Sequence, residues 1–238
     1  MLQKQQKNNI INLSKKVLIN KRKEVCQMQV NSFFEGIDEE DVSKMLKCFE
    51  ARKMTYKKER TIVSNIVNVK MIGIILSGTA NMERYDYNGN RSIIEKLEVN
   101  SVFGEVFSRL ESGISVVATS DCEVLLIEYE HIIKRCRKGC VYHSILTNNM
   151  LKLLSNKIVE LNKRLEILSK RSIRDKVLSY FELLANDNPK RTFTLPFTYT
   201  DLADYLSVDR SAMMREIKNL KEEGFIKANG KKITLISY

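Results

Sequence analysis

The sequence predicts an α+β chain, with antiparallel strands in its first half, one long helix after them, and a helical C-terminal part that closes with a β-hairpin. Three observations predict it. Short strand-like runs separated by turn signals fill residues 61 to 128, an apolar heptad seam follows between Leu151 and Leu168, and two short helical patterns with an Asn-Gly signal behind them occupy the last forty or so positions.

Composition sets the outer bounds. With 238 residues, 43% of them hydrophobic, the chain can build two modest domains with real cores. No apolar run reaches bilayer length, and the lysine-rich start lacks a signal-type apolar core, so a cytoplasmic protein without a membrane partner is expected. Five cysteines, at positions 26, 48, 122, 136 and 140, are an odd number in a chain too large to depend on disulfides, which suits free thiols in a reducing compartment. The net charge is +11. Residues 31 to 130 are acidic on balance, and the parts on either side are basic. Basic charge on the helical and terminal parts favours a nucleic-acid partner, although a lysine-rich proteome would give the same total.

Residues 1 to 30 form a basic extension with an amphipathic piece around Ile10, Ile11, Val17, Leu18 and Ile19. It reads either as an arm on DNA or a partner subunit, or as a loosely ordered extension, and is assigned no function. Phe33, Phe34, Ile37, Val42, Met45, Leu46 and Phe49 then suggest a pair of short helices. Strands are predicted at Thr61 to Val63, Met71 to Leu76, Ala80 to Tyr87, Ser92 to Leu97 and across Ser115 to Glu128, with turns at Gly78-Thr79 and Asn88-Gly89. Their antiparallel order implies a small barrel or jelly roll over 31 to 130.

From His131 to Lys170 the period lengthens to that of one long helix. Leu151, Leu154, Ile158, Leu161, Leu165 and Leu168 recur at alternating spacings of three and four, an a/d seam. Val141, Leu146, Met150 and Leu153 make a second stripe suited to the chain's own barrel. Two stripes on one helix predict that the seam meets the same helix of a second copy, in a parallel homodimer. Ile173, Val177, Tyr180, Phe181 and Leu184 mark a further helix over 171 to 186, and a break at Asn186 to Lys190 precedes a short strand at Thr192 to Leu195. The boundary is placed near Ser169 to Ser172, so that 131 to 170 is a dimerisation helix and 171 to 238 a separate domain.

Thr198 with Asp201 resembles a capping box, each side chain satisfying a free amide at a helix start. Leu202, Ala203 and Leu206 share one face of a short helix, and a tight break follows at Ser207, where Gly is usual. The next helix buries Met213, Ile217 and Leu220 and leaves Arg210, Ser211, Met214, Arg215 and Lys218 on other faces. This is a helix-turn-helix pattern whose second helix suits a DNA major groove; a plain helical hairpin with solvated charges would share much of it. Phe225-Ile226, the break Ala228-Asn229-Gly230 and Ile233 to Ile236 add a β-hairpin, a wing, directly behind that helix.

The segment L-P-F-T-Y-T-D-L-A-D-Y-L-S-V-D-R-S-A-M-M-R-E-I-K-N-L-K-E-E-G-F-I resembles the winged-helix end of the CRP/FNR family of bacterial transcription regulators, and the resemblance runs from about Phe33 to the C-terminus. It implies a cyclic-nucleotide-binding-like sensor domain, a homodimer, a palindromic double-stranded operator and RNA polymerase as a further partner. On the family's reading positions stand Arg210, Ser211 and Arg215, with Ser211 where many members carry Glu; Thr198, Thr200 and Lys218 are better placed for phosphate. Val102-Phe103-Gly104-Glu105 and the run Val116 to Val124 are similar to the family's phosphate-binding cassette. Its Arg-Ser pair falls here on Ser112-Gly113, the connecting segment is shorter, and only Arg109 stands nearby as a substitute. The family's purine-contacting pair falls near Glu160-Leu161. A buried nucleotide phosphate without its guanidinium is costly, so control by cAMP is not expected and the effector is left open. Gly104 and Glu105 also have a structural reading, as residues that hold a turn.

The catalytic inventory is poor, and no enzyme is predicted. His131 and His143 have no zinc-type spacing to the cysteines, and no P-loop or nucleophile elbow is present. Cys136 and Cys140 would share a helix face, but packed thiols are the simpler reading. The N-terminal cysteine cluster of the family's iron–sulfur members is absent, Cys26 and Cys48 standing apart, and no cofactor or metal is predicted. The alternative to a DNA-binding regulator is a small-molecule or redox sensor whose winged helix is a protein-interaction module.

Overall fold

The computed structural model describes residues 32–64, 71–104, 114–133, 142–186 and 188–236. Predictions that fall on residues 1 to 30, Glu105, Arg109, Ser112, Gly113, Cys136, Cys140 and Val141 lie outside them. The chain packs as two compact units: residues up to Asn81 with Lys96–Asn156, and Met82–Glu95 with Lys157–Tyr238.

The first unit begins with a single 3-10 turn, Ser32–Phe34, and helix α1, Glu39–Cys48. Strands β1 (Arg52–Tyr56), β2 (Thr61–Ser64), β3 (Met71–Ser77), β4 (Ala80–Tyr85), β5 (Arg91–Leu97), β6 (Val102–Gly104), β7 (Ile114–Ala118) and β8 (Cys122–Glu128) follow along the chain, most of β4 and β5 belonging to the second unit. They form two four-stranded sheets, ordered β1-β8-β3-β6 and β2-β7-β4-β5. Among the described residues the two sheets do not close into one barrel, which suits the jelly-roll form of the predicted architecture. β3 lies between β8 and β6, antiparallel to both, and Ile72 to Leu76 are buried without alternation, so both faces of the strand are covered. The run predicted across Ser115 to Glu128 is two strands, β7 and β8, divided by a turn at Thr119 to Asp121.

Phe33, Phe34, Ile37, Val42 and Phe49 pack on Ile72, Ile74, Leu76, Leu125 and Ile127 in one core, with Leu146 closing it. Asn149 is buried, and its Nδ2 donates to the carbonyls of Phe33 at 3.1 Å and Glu35 at 2.8 Å, which pins the N-terminal turn. Gly104 sits at the end of β6 opposite Ile72, with φ +117, rather than in a turn. A Cβ there would come within 2.1 Å of the Met71 carbonyl oxygen, so only glycine lets the two strands approach. Gly104→Ala is expected to destabilise this unit by about 1–3 kcal/mol, read from denaturant unfolding.

The predicted helix from His131 is found as two described pieces, α2 (Tyr129–Ile133) and α3 (Tyr142–Leu168). The second runs 27 residues, about 40 Å at the helical rise. The second unit continues with α4 (Ile173–Ala185), β9 (Thr192–Thr194), α5 (Tyr199–Leu206), α6 (Arg210–Glu222), β10 (Ile226–Asn229) and β11 (Lys232–Leu235). Its three-stranded sheet has the order β10-β11-β9. Val177, Leu178 and Phe181 of α4, Leu202, Ala203 and Leu206 of α5, Met213, Ile217 and Leu220 of α6, and Ile226, Ile233 and Leu235 of the sheet share one core. Ile93 of β5 is fully buried in the same cluster. No described helix is long and apolar enough to cross a membrane.

Candidate nucleic-acid interface

The interface is assembled by caps and one turn. Thr198 precedes α5 in an extended conformation, and its hydroxyl accepts from the Asp201 amide at 3.1 Å. Only half of the predicted capping box forms. The Asp201 carboxylate accepts from the Thr198 hydroxyl at 2.7 Å and from the Arg91 guanidinium, instead of reaching back to an amide. α5 ends at Ser207, held left-handed at φ 53 and ψ 54, and the Val208 amide returns to the Ala203 carbonyl at 3.1 Å. Serine accepts a conformation that glycine would take without strain, because this turn fixes the angle between the two helices. Asp209 then caps α6, its Oδ1 accepting from the Ala212 amide at 2.8 Å.

Burial of Met213, Ile217 and Leu220 at spacings of four and three turns the opposite side of α6 outward. Arg210, Ser211, Arg215 and Lys218 are all exposed, as are Thr198 and Thr200 at the start of α5. Lys218 meets Glu222 at 3.6 Å, a solvated pair of little energetic weight. Among the described residues Arg210 and Arg215 have no ion-pair partner, so their guanidinium groups are available to an outside acceptor. The hairpin β10-β11 stands behind α6, with Gly230 at φ 57 in its turn. The Tyr199 hydroxyl donates to the Gly230 carbonyl at 2.7 Å and ties the wing to the first helix. At the far end of α6, Arg174 forms a two-point pair with Glu223, one arm at 2.9 Å, and covers the Phe225 ring at 5.0 Å. That pairing holds the exposed Glu223 carboxyl below its ordinary value. Tyr199, Arg174 and Asp209 had no part in the sequence reading; only Asp209, an Asp ahead of a helical pattern, carried a local signal.

Arg91 is the residue least legible in the sequence. Its side chain lies among three carboxylates, Asp201 in direct contact and Glu83 and Asp204 each 3.3 Å from Nε. Burial pushes the Glu83 and Asp204 carboxyls up, against the pull of the Arg91 charge. Arg164 of α3 donates to the Ile93 carbonyl at 2.6 Å and to that of Ile94, and its guanidinium covers the Tyr205 ring at 4.6 Å. Burial lowers the Arg164 pKa.

The seam residues of α3 are open to solvent in the single chain. Leu151 and Ile158 are each 58% exposed, Leu161 47% and Leu165 66%, while Leu154 and Leu168 are half-buried. The second stripe behaves differently: Leu146 is buried, and Met150 and Leu153 pack on the first unit's core. Glu160 is exposed beside Leu161. Among the described residues no cluster of His, Cys, Asp and Glu could hold a metal; Cys48 is exposed and Cys122 buried, and both are free thiols.

Two family models match consecutive parts of the chain: the cyclic nucleotide-binding domain over residues 53–138 and the Crp-like helix-turn-helix domain over 175–238. The HTH-type transcriptional regulator ycf28 of Porphyra purpurea is 28% identical over 184 residues, which is 75% of this chain and 76% of that protein. The transcriptional activator protein FnrL of Cereibacter sphaeroides is 20% identical over 192 residues, 77% of this chain and 75% of its own. A solved CooA from Carboxydothermus hydrogenoformans shares the fold at a TM-score of 0.67 and 17% identity, covering 79% of this chain and 85% of CooA. The class is therefore that of a helix-turn-helix transcription regulator and not an enzyme. The chain belongs to the CRP/FNR family. A winged helix turned into a protein-interaction module is not favoured, since the matched relatives are transcriptional regulators along most of their length.

Proposed function

We propose that the chain acts as a homodimer, joined along α3, that binds a palindromic operator through Arg210, Ser211 and Arg215 on bases and Thr198, Thr200 and Lys218 on phosphate. One observation carries the reading. On α6 the hydrophobic side is sealed in the core, and Arg215 on the opposite side and Arg210 at the helix's first position are exposed without internal ion pairs among the described residues. In a helix-turn-helix that side enters the major groove, and two copies read half-sites about one helical turn, 34–36 Å, apart. The exposed leucines of α3 support the pairing.

In this reading the sensor domain answers to an effector other than cAMP. The support is in the sequence: Ser112-Gly113 stand where the family's Arg-Ser anion site falls. An effector acts by binding one hinge state better than the other, so that the spacing of the two α6 helices changes with its occupancy. RNA polymerase is the expected partner of the DNA-bound dimer.

Selection of duplexes from a random pool, followed by titration against the selected and a random duplex, tests the reading. A palindromic consensus and a preference of 10³ or more over random DNA at physiological salt are expected. Weak, sequence-blind association would overturn it. Lys218→Ala is expected to weaken both duplexes alike and to reduce the slope of log K against log salt by about 1.

A further inference from the structure

On the strand pair β4-β5, Arg91 lies 110 residues from Asp201 in sequence, yet it is built into the first helix of the helix-turn-helix. Its attachment is not an incidental surface contact. Ile93, two residues on, is fully buried in the winged-helix core, and the Ile93 and Ile94 carbonyls are held by Arg164, which also covers Tyr205 of α5. The guanidinium is thereby fixed against Asp201 and Asp204, one turn apart on α5, and against Glu83. Asp201 passes the contact on, since its second oxygen holds the Thr198 hydroxyl at 2.7 Å.

The charge balance gives this arrangement a consequence for DNA. The first helix of a helix-turn-helix crosses the phosphate backbone, and Thr198 and Thr200 at its start are the phosphate-facing residues in the reading above. Asp201 stands on the same turn and Asp204 on the next, about 6–9 Å along the axis from Thr200 and Thr198, on the scale of the Debye length of about 8 Å. Left alone, two carboxylates would oppose the anion that the helix start and its hydroxyls attract. Among the described residues, Arg91 supplies the one guanidinium paired with them.

We propose that Arg91 is a positioning residue of the DNA interface: supplied by the strand pair 80–97 and not by the winged helix, it offsets part of the charge of Asp201 and Asp204 and, through Asp201, holds the Thr198 cap, so that a phosphate docks at the start of α5. The inference rests on the proposed DNA reading. It predicts a loss that does not depend on base sequence, because phosphate contacts orient without specifying.

The test uses the full chain, the operator selected by the wild-type protein and a random duplex of equal length, with affinity read by fluorescence anisotropy and folding by thermal unfolding. Arg91→Ala is expected to weaken both duplexes by the same factor, roughly five- to tenfold at low salt and less as salt screens the carboxylates. Adding Asp201→Asn and Asp204→Asn to that variant is expected to restore most of the affinity. Unchanged or tighter binding by Arg91→Ala, a loss confined to the operator, or a loss that the added substitutions fail to restore overturns the inference. Should Arg91→Ala not fold, the Asp201→Asn, Asp204→Asn double variant decides: tighter binding of both duplexes supports the role, and weaker or unaltered binding overturns it. Arg215→Ala run alongside separates the two readings. If the wild-type protein shows no operator preference for it to lower, the DNA interface itself is misassigned; if it lowers that preference roughly ten- to hundredfold while Arg91→Ala fails its test, only the present inference falls.

Discussion

Glutamate at both Ile158 and Leu165 is expected to leave each chain folded, to split the proposed dimer, and to lower operator affinity by about 10² to 10⁴ through loss of the second, intramolecular binding event. The first part follows from exposure. The two side chains are 58% and 66% exposed within one chain, so they stabilise little there, and glutamate is a good helix former. The second follows from the heptad: spaced seven apart, the two positions occupy the same place in successive repeats, where each meets its symmetry mate. Carboxylates facing carboxylates across a desolvated seam cost more than the isoleucine and leucine contacts they replace. Sedimentation equilibrium reads the assembly, and anisotropy with the selected duplex reads the affinity. A variant that stays dimeric, or a monomeric variant with undiminished operator affinity, would remove the seam from the account. Leu146→Glu is the contrasting substitution: that residue is buried in the first unit's core, so it should unfold the chain rather than divide the pair.

What the sequence disclosed and what it hid divide along the same physical line. β5 and the helices of the second unit announce themselves because their buried residues recur at even spacing or at three and four, and a one-sided burial leaves that imprint; β3 and β8 show instead as short, nearly continuous apolar runs. β1 has no such imprint: Arg52 to Thr55 are all exposed on an edge strand beside β8, so nothing in Arg-Lys-Met-Thr-Tyr distinguishes strand from loop. β6 is only three residues long, and no local pattern around its one unusual residue, Gly104, discloses the Met71 carbonyl that lies against it in place of a turn. On the DNA side, the buried and exposed faces of α6 were both legible, and so was the Thr198 cap. Half of the capping box was not, because Asp201 is taken by an arginine from a distant strand, and pairings of that separation have no local pattern. The residues of the cassette that bear on an effector, Glu105, Arg109, Ser112 and Gly113, rest on the sequence alone.

The sharpest consequence for DNA recognition lies at Arg215. Its replacement by Ala is expected to cost about 1–3 kcal/mol of operator affinity per half-site contact while leaving affinity for random duplexes nearly unchanged. The loss belongs to binding and not to folding: Arg215 is exposed, faces away from Met213, Ile217 and Leu220, and has no ion pair among the described residues, so the unfolding free energy should move by no more than about 0.5 kcal/mol. Arg215→Lys should recover little of it, since an ammonium group cannot bond two guanine acceptors at once with the guanidinium's fixed fork. The substitution should also relax the selected consensus at one position in each half-site, a change that Lys218→Ala would not produce. Anisotropy titrations of both duplexes, with selection repeated on the variant, give the comparison. Equal losses on operator and random DNA would make Arg215 a phosphate contact and shift base reading to Arg210 and Ser211, where a serine that can donate or accept would predict a looser operator than an acidic side chain would.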